Sequence, residues 1–335
     1  MNEIRRLADD LKVRNDFIKQ ILGRYVTDAV VENVLENPKG LELGGQRRTV
    51  SVLMSDLRGF TQLSEQLSPE QVVEVLNVYL GAMAEVIAQH HGVVDAFIGD
   101  AVIGVFGSPI IREDHPALAV ACALAMQADM ERVNRRLSRL GIAALEMGIG
   151  INTGEVVVGN IGSDKRAQYS VIGAQVNLTA RIQGVSVGGE VLVSQTTAAA
   201  VAAHLKTERT FTISSKGVGA PIHIHSVMGL RGQDHLDLPQ SNHFEAGLHK
   251  KLPVKYQRLT DDKSLFGQGT DAELVIVTSR SGFLKAIELL HARCDLKLIL
   301  PPTPTGASSD LYCKVMDEQP GENGWFVRFT SPFVG

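Results

Sequence analysis

The hydrophobic pattern of this 335-residue chain changes character near His249, and that change limits what it can fold into. Between residues 47 and 230, short apolar runs of strand character alternate with long segments whose apolar positions recur at helical spacing. Residues 50–54 read as a buried strand. Ser68-Pro69-Glu70-Gln71 supplies an N-cap, a proline at the first helical position and a capping-box glutamine. The helix that follows carries Val72, Leu76, Leu80, Met83 and Ile87 on one face and stops near Gly92. Residues 93–97 and 101–106 alternate around Gly99-Asp100, a hairpin signature. Residues 116–137 form a second long helix, and 174–183 begin a third. Residues 146–152 and 155–159 read as a strand pair broken by Thr153-Gly154, and later strands fall at 191–194 and 210–227. The expected fold is α+β, with helices over a mainly antiparallel sheet.

From His249 onward only short strand-like runs remain, six of them in under ninety residues, which predicts a small β-barrel. The polar run 232–242 contains Pro239 and reads as a linker. At the other end Leu7, Leu11, Ile18, Ile21, Tyr25, Val30, Val31, Val34 and Leu35 keep helical spacing until Pro38 and the glycines at 40, 44 and 45. That stripe suits a helix that pairs with a copy of itself. The organisation is therefore a helical extension (1–45), an α+β domain (46–230), a linker (231–244) and a barrel (245–335).

A net charge of −4 gives no global reason to expect nucleic acid. No apolar run approaches the roughly 18 residues of a membrane span. The N-terminus lacks the apolar core of a signal peptide, and Cys122, Cys294 and Cys313 have no metal-ligand spacing, so reduced thiols and a cytoplasmic location are expected.

Asp56 follows the strand at 50–54, and Asp100 sits in the hairpin turn. Strand-end carboxylates on paired strands can hold two divalent cations side by side. Behind Asp56, Gly59 and a helix start at Phe60-Thr61 leave backbone N–H groups free for phosphate. The layout suits phosphoryl transfer on a nucleoside triphosphate with Mg²⁺ or Mn²⁺. The plainer reading is a pair of turn aspartates capping the elements that follow.

Seven blocks extend this pattern: Asp56-Leu57-Arg58-Gly59-Phe60-Thr61, Gly99-Asp100-Ala101 with Phe106-Gly107, Gly150-Ile151-Asn152-Thr153-Gly154, Val158-Gly159-Asn160-Ile161-Gly162, Tyr169-Ser170-Val171-Ile172-Gly173, Val176-Asn177-Leu178-Thr179-Ala180-Arg181 and Lys216-Gly217. In that order and spacing, residues 47–230 resemble the class III nucleotidyl cyclase catalytic domain, a ferredoxin-like palm fold. The resemblance implies a homodimer with composite sites that converts a nucleoside triphosphate to a 3′,5′-cyclic nucleotide and pyrophosphate. It implies that Asp56 and Asp100 bind two metal ions and that Asn177 orients the ribose. Arg181 would meet charge developing on the α-phosphate, and Lys216, with Lys165 a further candidate, would contact phosphate. The aspartates would come from one chain and Asn177, Arg181 and Lys216 from the other.

The base-selecting positions depart from the family. Ala96 and Ser170 stand where adenylyl cyclases commonly carry Lys and Asp. Ala96 reads neither base, and a serine hydroxyl can donate to guanine O6 or accept from the adenine amino group. Family frequency favours ATP, with GTP and a catalytically silent nucleotide-binding module as alternatives. The C-terminal runs, with Lys250, Lys251, Ser279, Gly282 and a closing Trp325-Phe326-Val327-Arg328-Phe329, resemble a PilZ barrel, which implies cyclic di-GMP as a ligand. Here Val277 fills the Asp/Asn slot of the binding loop, and the two lysines replace arginines that recognise phosphate and guanine through a planar fork. Trp325 is expected in the core.

Overall fold

The computed structural model describes residues 42–163, 165–213, 221–232, 236–239, 250–260, 265–301, 310–316 and 324–330. The N-terminal helical stripe lies outside the described residues, as do Lys216 and Gly217. The first unit is one large sheet with strand order β2-β3-β1-β4-β6-β8-β7. Its strands are β1 (Gly44–Leu57), β2 (Val93–Ile98), β3 (Ala101–Phe106), β4 (Met147–Ser163), β6 (Val191–Ser194), β7 (Leu205–Ile213) and β8 (Ile222–Leu230). β5 (Arg166–Ile172) adds to β4, and β9 (Leu236–Asp237), within the span read as linker, adds to β8. Only the β4–β6 pairing is parallel among these ladders, so the mainly antiparallel expectation holds.

The helices of this unit are α1 (Phe60–Gln66), α2 (Pro69–Gln89), α3 (His115–Ser138), α4 (Ala174–Val185) and α5 (Gln195–Ala200). Ser68 caps α2 as the sequence predicts: its side chain accepts from the Gln71 N–H, and the Gln71 side chain accepts from the Ser68 N–H. The helix ends where His91 takes a left-handed φ of 59°. Gly92 follows because a Cβ there would sit 2.6 Å from the Phe106 ring. By length and composition α2 could cross a membrane, contrary to the sequence expectation. In the fold its apolar face (Val75, Val78, Tyr79, Met83, Val86, Ile87) is buried against α3 and the sheet instead.

Alternation along β1 assigns its residues to two cores. Leu53 and Leu57 face α2 and α3, whereas Val50 and Val52 face the side covered by β5 and by Val176 of α4. β4 corrects the sequence reading at Thr153-Gly154: the strand runs straight through, paired with β1 from Met147↔Leu57 to Asn160↔Gly44. Gly154 is there for room, because a Cβ would meet the Gln175 side chain at 2.8 Å. The same face of β4 carries Gly148 and Gly150, where a Cβ would lie 2.3 Å from Arg58 Nη2 and 2.3 Å from the Gln183 backbone nitrogen, respectively. Asn152, between them and Gly154, donates to Gln175 O and Oε1. α4 thus lies directly on a strand stripped of side chains.

The C-terminal unit is a closed six-stranded barrel, β10-β11-β12-β15-β14-β13, with β10 Lys250–Leu259, β11 Leu265–Thr278, β12 Ser281–Lys285, β13 Asp295–Ile299, β14 Asp310–Val315 and β15 Trp325–Phe329. Trp325 is buried in its core with Tyr256 and Phe329, as expected.

Gly150→Ala should lower the urea midpoint, at a cost of about 1–3 kcal/mol, because the clash is with backbone and no rotamer relieves it. Gly184→Ala, on α4 with nothing near the added carbon, should leave stability level or raise it by about 0.5–1 kcal/mol. Equal midpoints for the two variants would contradict this packing account.

Candidate active site

The β1–β3 ladder pairs Ser55 with Val102, and the β2–β3 hairpin closes with Ile98 opposite Ala101. Asp56, one residue past that rung, and Asp100, in the hairpin turn, therefore meet at one end of the sheet. The Leu57 N–H donates to Asp100 Oδ2 at 3.1 Å. Burial, and then the hydrogen bond and negative charge of Asp56, push the Asp100 carboxyl up to about 7. Arg58 Nη1 stands 3.9 Å from Asp56 Oδ2, too far for a hydrogen bond. Two adjacent carboxylates, one of them with a raised pKa, present a place for divalent cations. Mg²⁺ and Mn²⁺ commonly take one or two protein carboxylates and complete their shell with phosphate and water, so the donor set fits. Among the described residues no cluster of three or more His, Cys, Asp or Glu offers an alternative metal centre.

Gly59 takes a left-handed φ of 74° and turns the chain into α1, whose first turn has no side-chain cap. The N–H groups at Phe60 and Thr61 open that helix beside the carboxylates. Phe60 itself is buried, and Thr61 is exposed.

Asn177 and Arg181 lie one turn apart on α4. Neither side chain has a hydrogen-bond or ion-pair partner among the described residues, and no such contact joins them to Asp56 or Asp100 within the chain. Lys165 is exposed in the β4–β5 turn, away from any partner among the described residues.

Ala96 follows a bulge in β2 and packs against the β5-covered core. Ser170 is on β5 opposite Gly159. Asp95 joins the two strands: it accepts from the Ser170 hydroxyl at 3.1 Å and from the Val171 N–H at 3.3 Å, while its carbonyl accepts from Gln168. Burial raises the Asp95 pKa, and these two donors pull against that. Asp95 is the residue the sequence reading missed. The Val-Asp-Ala order hid it, because only the bulge turns it toward β5.

In the barrel, Lys250 and Lys251 pair with Ile276 and Val275, near the Ser279-Arg280 turn that leads to Gly282. That turn is already engaged: Arg280 donates to Ala144 O at 2.8 Å and stands 3.5 Å from Glu146 of the sheet unit. A Cβ at Gly282 would lie 2.6 Å from Val275 O, so strand packing alone accounts for this glycine. Nothing here supports cyclic di-GMP as the barrel's ligand.

Residues 45–226 match the adenylate and guanylate cyclase catalytic domain family, and the match does not extend into the barrel. Among curated relatives, Adenylate cyclase 1 of Rhizobium meliloti is 33% identical over 200 residues, 57% of this chain and 30% of its own length. An adenylate cyclase of Anabaena cylindrica is 30% identical over 181 residues, 52% of this chain and 34% of its length. The matched part thus spans about a third of those relatives. Among solved structures, the guanylyl cyclase Cya2 is 49% identical, covering 59% of this chain and 100% of its own, with a TM-score of 0.58. The adenylyl cyclase CyaB from P. aeruginosa is 36% identical, covering 56% and 98%, with a TM-score of 0.54. By a match over more than half its length, the chain belongs to the adenylate and guanylate cyclase catalytic domain family.

Proposed function

We propose that this chain is a nucleotidyl cyclase that converts ATP to 3′,5′-cyclic AMP and pyrophosphate at sites shared between two copies of itself. The observation that carries the reading is the meeting of Asp56 and Asp100 in a fold whose α4 holds Asn177 and Arg181 with no partner of their own. A second copy supplies the missing juxtaposition, with the carboxylates of one protomer facing α4 of the other. Phe97 and Ile98, exposed beside Asp100, and the cross-strand pair Val157 and Ile172 offer apolar surface for that contact.

Asp56 and Asp100 would hold two Mg²⁺ or Mn²⁺ ions. Bound there, divalent ions lower the pKa of the ribose 3′-hydroxyl and neutralise phosphate charge. The 3′-hydroxyl gives its proton to solvent as its oxygen attacks the α-phosphorus, the bond from that phosphorus to the bridging oxygen breaks, and pyrophosphate leaves with that electron pair. Asn177 orients the ribose. Arg181 stabilises the charge that develops on the α-phosphate, as a planar guanidinium can. The N–H groups at Phe60 and Thr61 and the lysines at 165 and 216 would bind phosphate.

Asp95 favours ATP. By accepting the Ser170 hydroxyl's hydrogen bond it occupies that proton and leaves the oxygen free as an acceptor, which suits the adenine amino group and opposes guanine O6. Guanylyl cyclase activity is the second reading, motivated by the 49% identity to Cya2.

Purified protein with Mn²⁺ and ATP should form cyclic AMP, and Asp56→Ala should abolish it; no cyclic product from ATP or GTP would end the reading. Asp95→Ala frees the Ser170 proton for guanine O6, and the ratio of kcat/KM for ATP over GTP should fall about 10-fold. Wild-type preference for GTP would reverse the base assignment. The raised Asp100 pKa means the folded chain holds this proton more tightly than the unfolded chain does. Its contribution to stability is present below about pH 4 and lost as pH rises through about 7. Without divalent metal the thermal midpoint should therefore decline between about pH 4 and pH 7, and Mn²⁺ should restore it at the upper end. Asp100→Asn should flatten the decline, and an unchanged slope in that variant would remove Asp100 as its origin.

A further inference from the structure

Three consecutive carbonyls in the last turn of α4 are each met by a cation, although Gln183 O also accepts from the Ser186 N–H at 3.0 Å and from the Ser186 hydroxyl at 2.7 Å. Gln183 O accepts from Arg58 Nη2 at 3.0 Å. Gly184 O accepts from Lys314 Nζ at 3.2 Å, and Val185 O from Arg293 Nη1 at 3.3 Å. Arg58 belongs to the loop after Asp56 and also donates to Ser186 Oγ at 2.8 Å. Lys314 and Arg293 come from the C-terminal barrel. Both are almost wholly enclosed, with side chains 4% and 2% exposed, so neither is an incidental surface contact.

Three cations so close repel one another. Burial, helped by the charges of Arg58 and Arg293, pulls the Lys314 ammonium below its ordinary pKa. Specific acids offset this. Lys314 pairs with Asp295 at 2.7 Å. Arg293 is forked onto both oxygens of buried Glu190 at 2.7 and 2.8 Å and lies 4.3 Å over the Phe211 ring. Burial alone would raise the Glu190 pKa, yet the charge of Arg293 and its hydrogen bonds hold it below the ordinary carboxylate value. The negative end of the helix dipole supplies the remaining attraction. A second anchor, Glu146 with Arg328 at 3.3 Å and Arg280 at 3.5 Å, ties the barrel to the start of β4.

We propose that the barrel is a positioning element for the reaction: Arg293 and Lys314 complete the C-terminal cap of α4 and thereby set the helix that presents Asn177 and Arg181. The assignment rests on the cyclase reading for its catalytic consequence. The physical link is short, since Arg181 is only two residues before the first capped carbonyl. Arg58 couples the same helix end to the metal loop. A barrel that shifts its hold changes where a guanidinium stands relative to the α-phosphate, and displacements of about 1 Å at such a group cost on the order of 100-fold in rate. Substrate binding through the carboxylates and phosphate contacts is left alone.

The test uses the full-length protein. Lys314→Met keeps the length and removes the charge; Arg293→Lys keeps the charge and loses the fork. Both should lower kcat, by about 10-fold for Lys314→Met and less for Arg293→Lys, with KM for Mn²⁺-ATP within about twofold. In an Arg181→Ala background, itself down about 100–1000-fold, Lys314→Met should cause little further loss, because it acts through that side chain. Hydrogen exchange in Lys314→Met should quicken at α4 amides and stay unchanged in α2 and α3. Multiplying losses, an unchanged kcat, or exchange that rises throughout the sheet unit would each overturn the proposal. If wild type makes no cyclic nucleotide, the cyclase reading fails, while the exchange pattern still decides whether the barrel holds α4.

Discussion

The approach of α4 to the bare face of β4 is the constraint on which the rest depends. Gly150 brings the Gln183 backbone within a distance no Cβ would allow, and Gly148 opens the path by which Arg58 reaches the end of the helix. A helix packed through side chains stands 8–10 Å from its neighbour and has some freedom to slide. One seated on a glycine strip, with Asn152 bonded to Gln175 at its first turn, has its axial position set at both ends. Asn177 and Arg181 inherit that position.

Charge is distributed to match. The two carboxylates that would take metal gather where β1 and the β2–β3 hairpin end, and the cations gather at the C-terminal end of α4, with Arg58 close to both groups. Asp56 holds the Asp100 carboxyl above its ordinary pKa, and that like-charge opposition is what a divalent ion would relieve. The cations are satisfied by carbonyl oxygens and buried acids, which makes them structural. Removing one partner of a buried pair such as Glu190–Arg293 strands the other, at a cost of about 3–5 kcal/mol, so the barrel and the sheet unit are bound in stability as well as in geometry.

Local rules read well from the residues alone. The Ser68–Gln71 capping box, the Gly99-Asp100 hairpin and the six barrel strands each depend on neighbours a few positions apart, and each formed as read. Thr153-Gly154 failed for an instructive reason. A glycine in an apolar run signals a turn or a close approach, and only the helix lying over the strand distinguishes the two. Asp95 was overlooked because its role depends on a bulge and on a strand 75 residues away. Lys250, Lys251, Ser279 and Gly282 resembled a ligand site, but Arg280 in their midst is engaged with Glu146 and Ala144.

By itself the sequence determined the two architectures and the family of the first, because periodicity and motif spacing are properties of the chain's own order. Tertiary structure alone decided which way Ser170 presents its oxygen, that Asp56 and Asp100 meet at one end of the sheet, and that cations of a barrel more than a hundred residues downstream reach the last carbonyls of α4. Those outcomes turn on burial and on distances between segments remote in sequence. Hydrogen-bond direction and pKa follow from what surrounds a group in space, and no spacing along the chain records it.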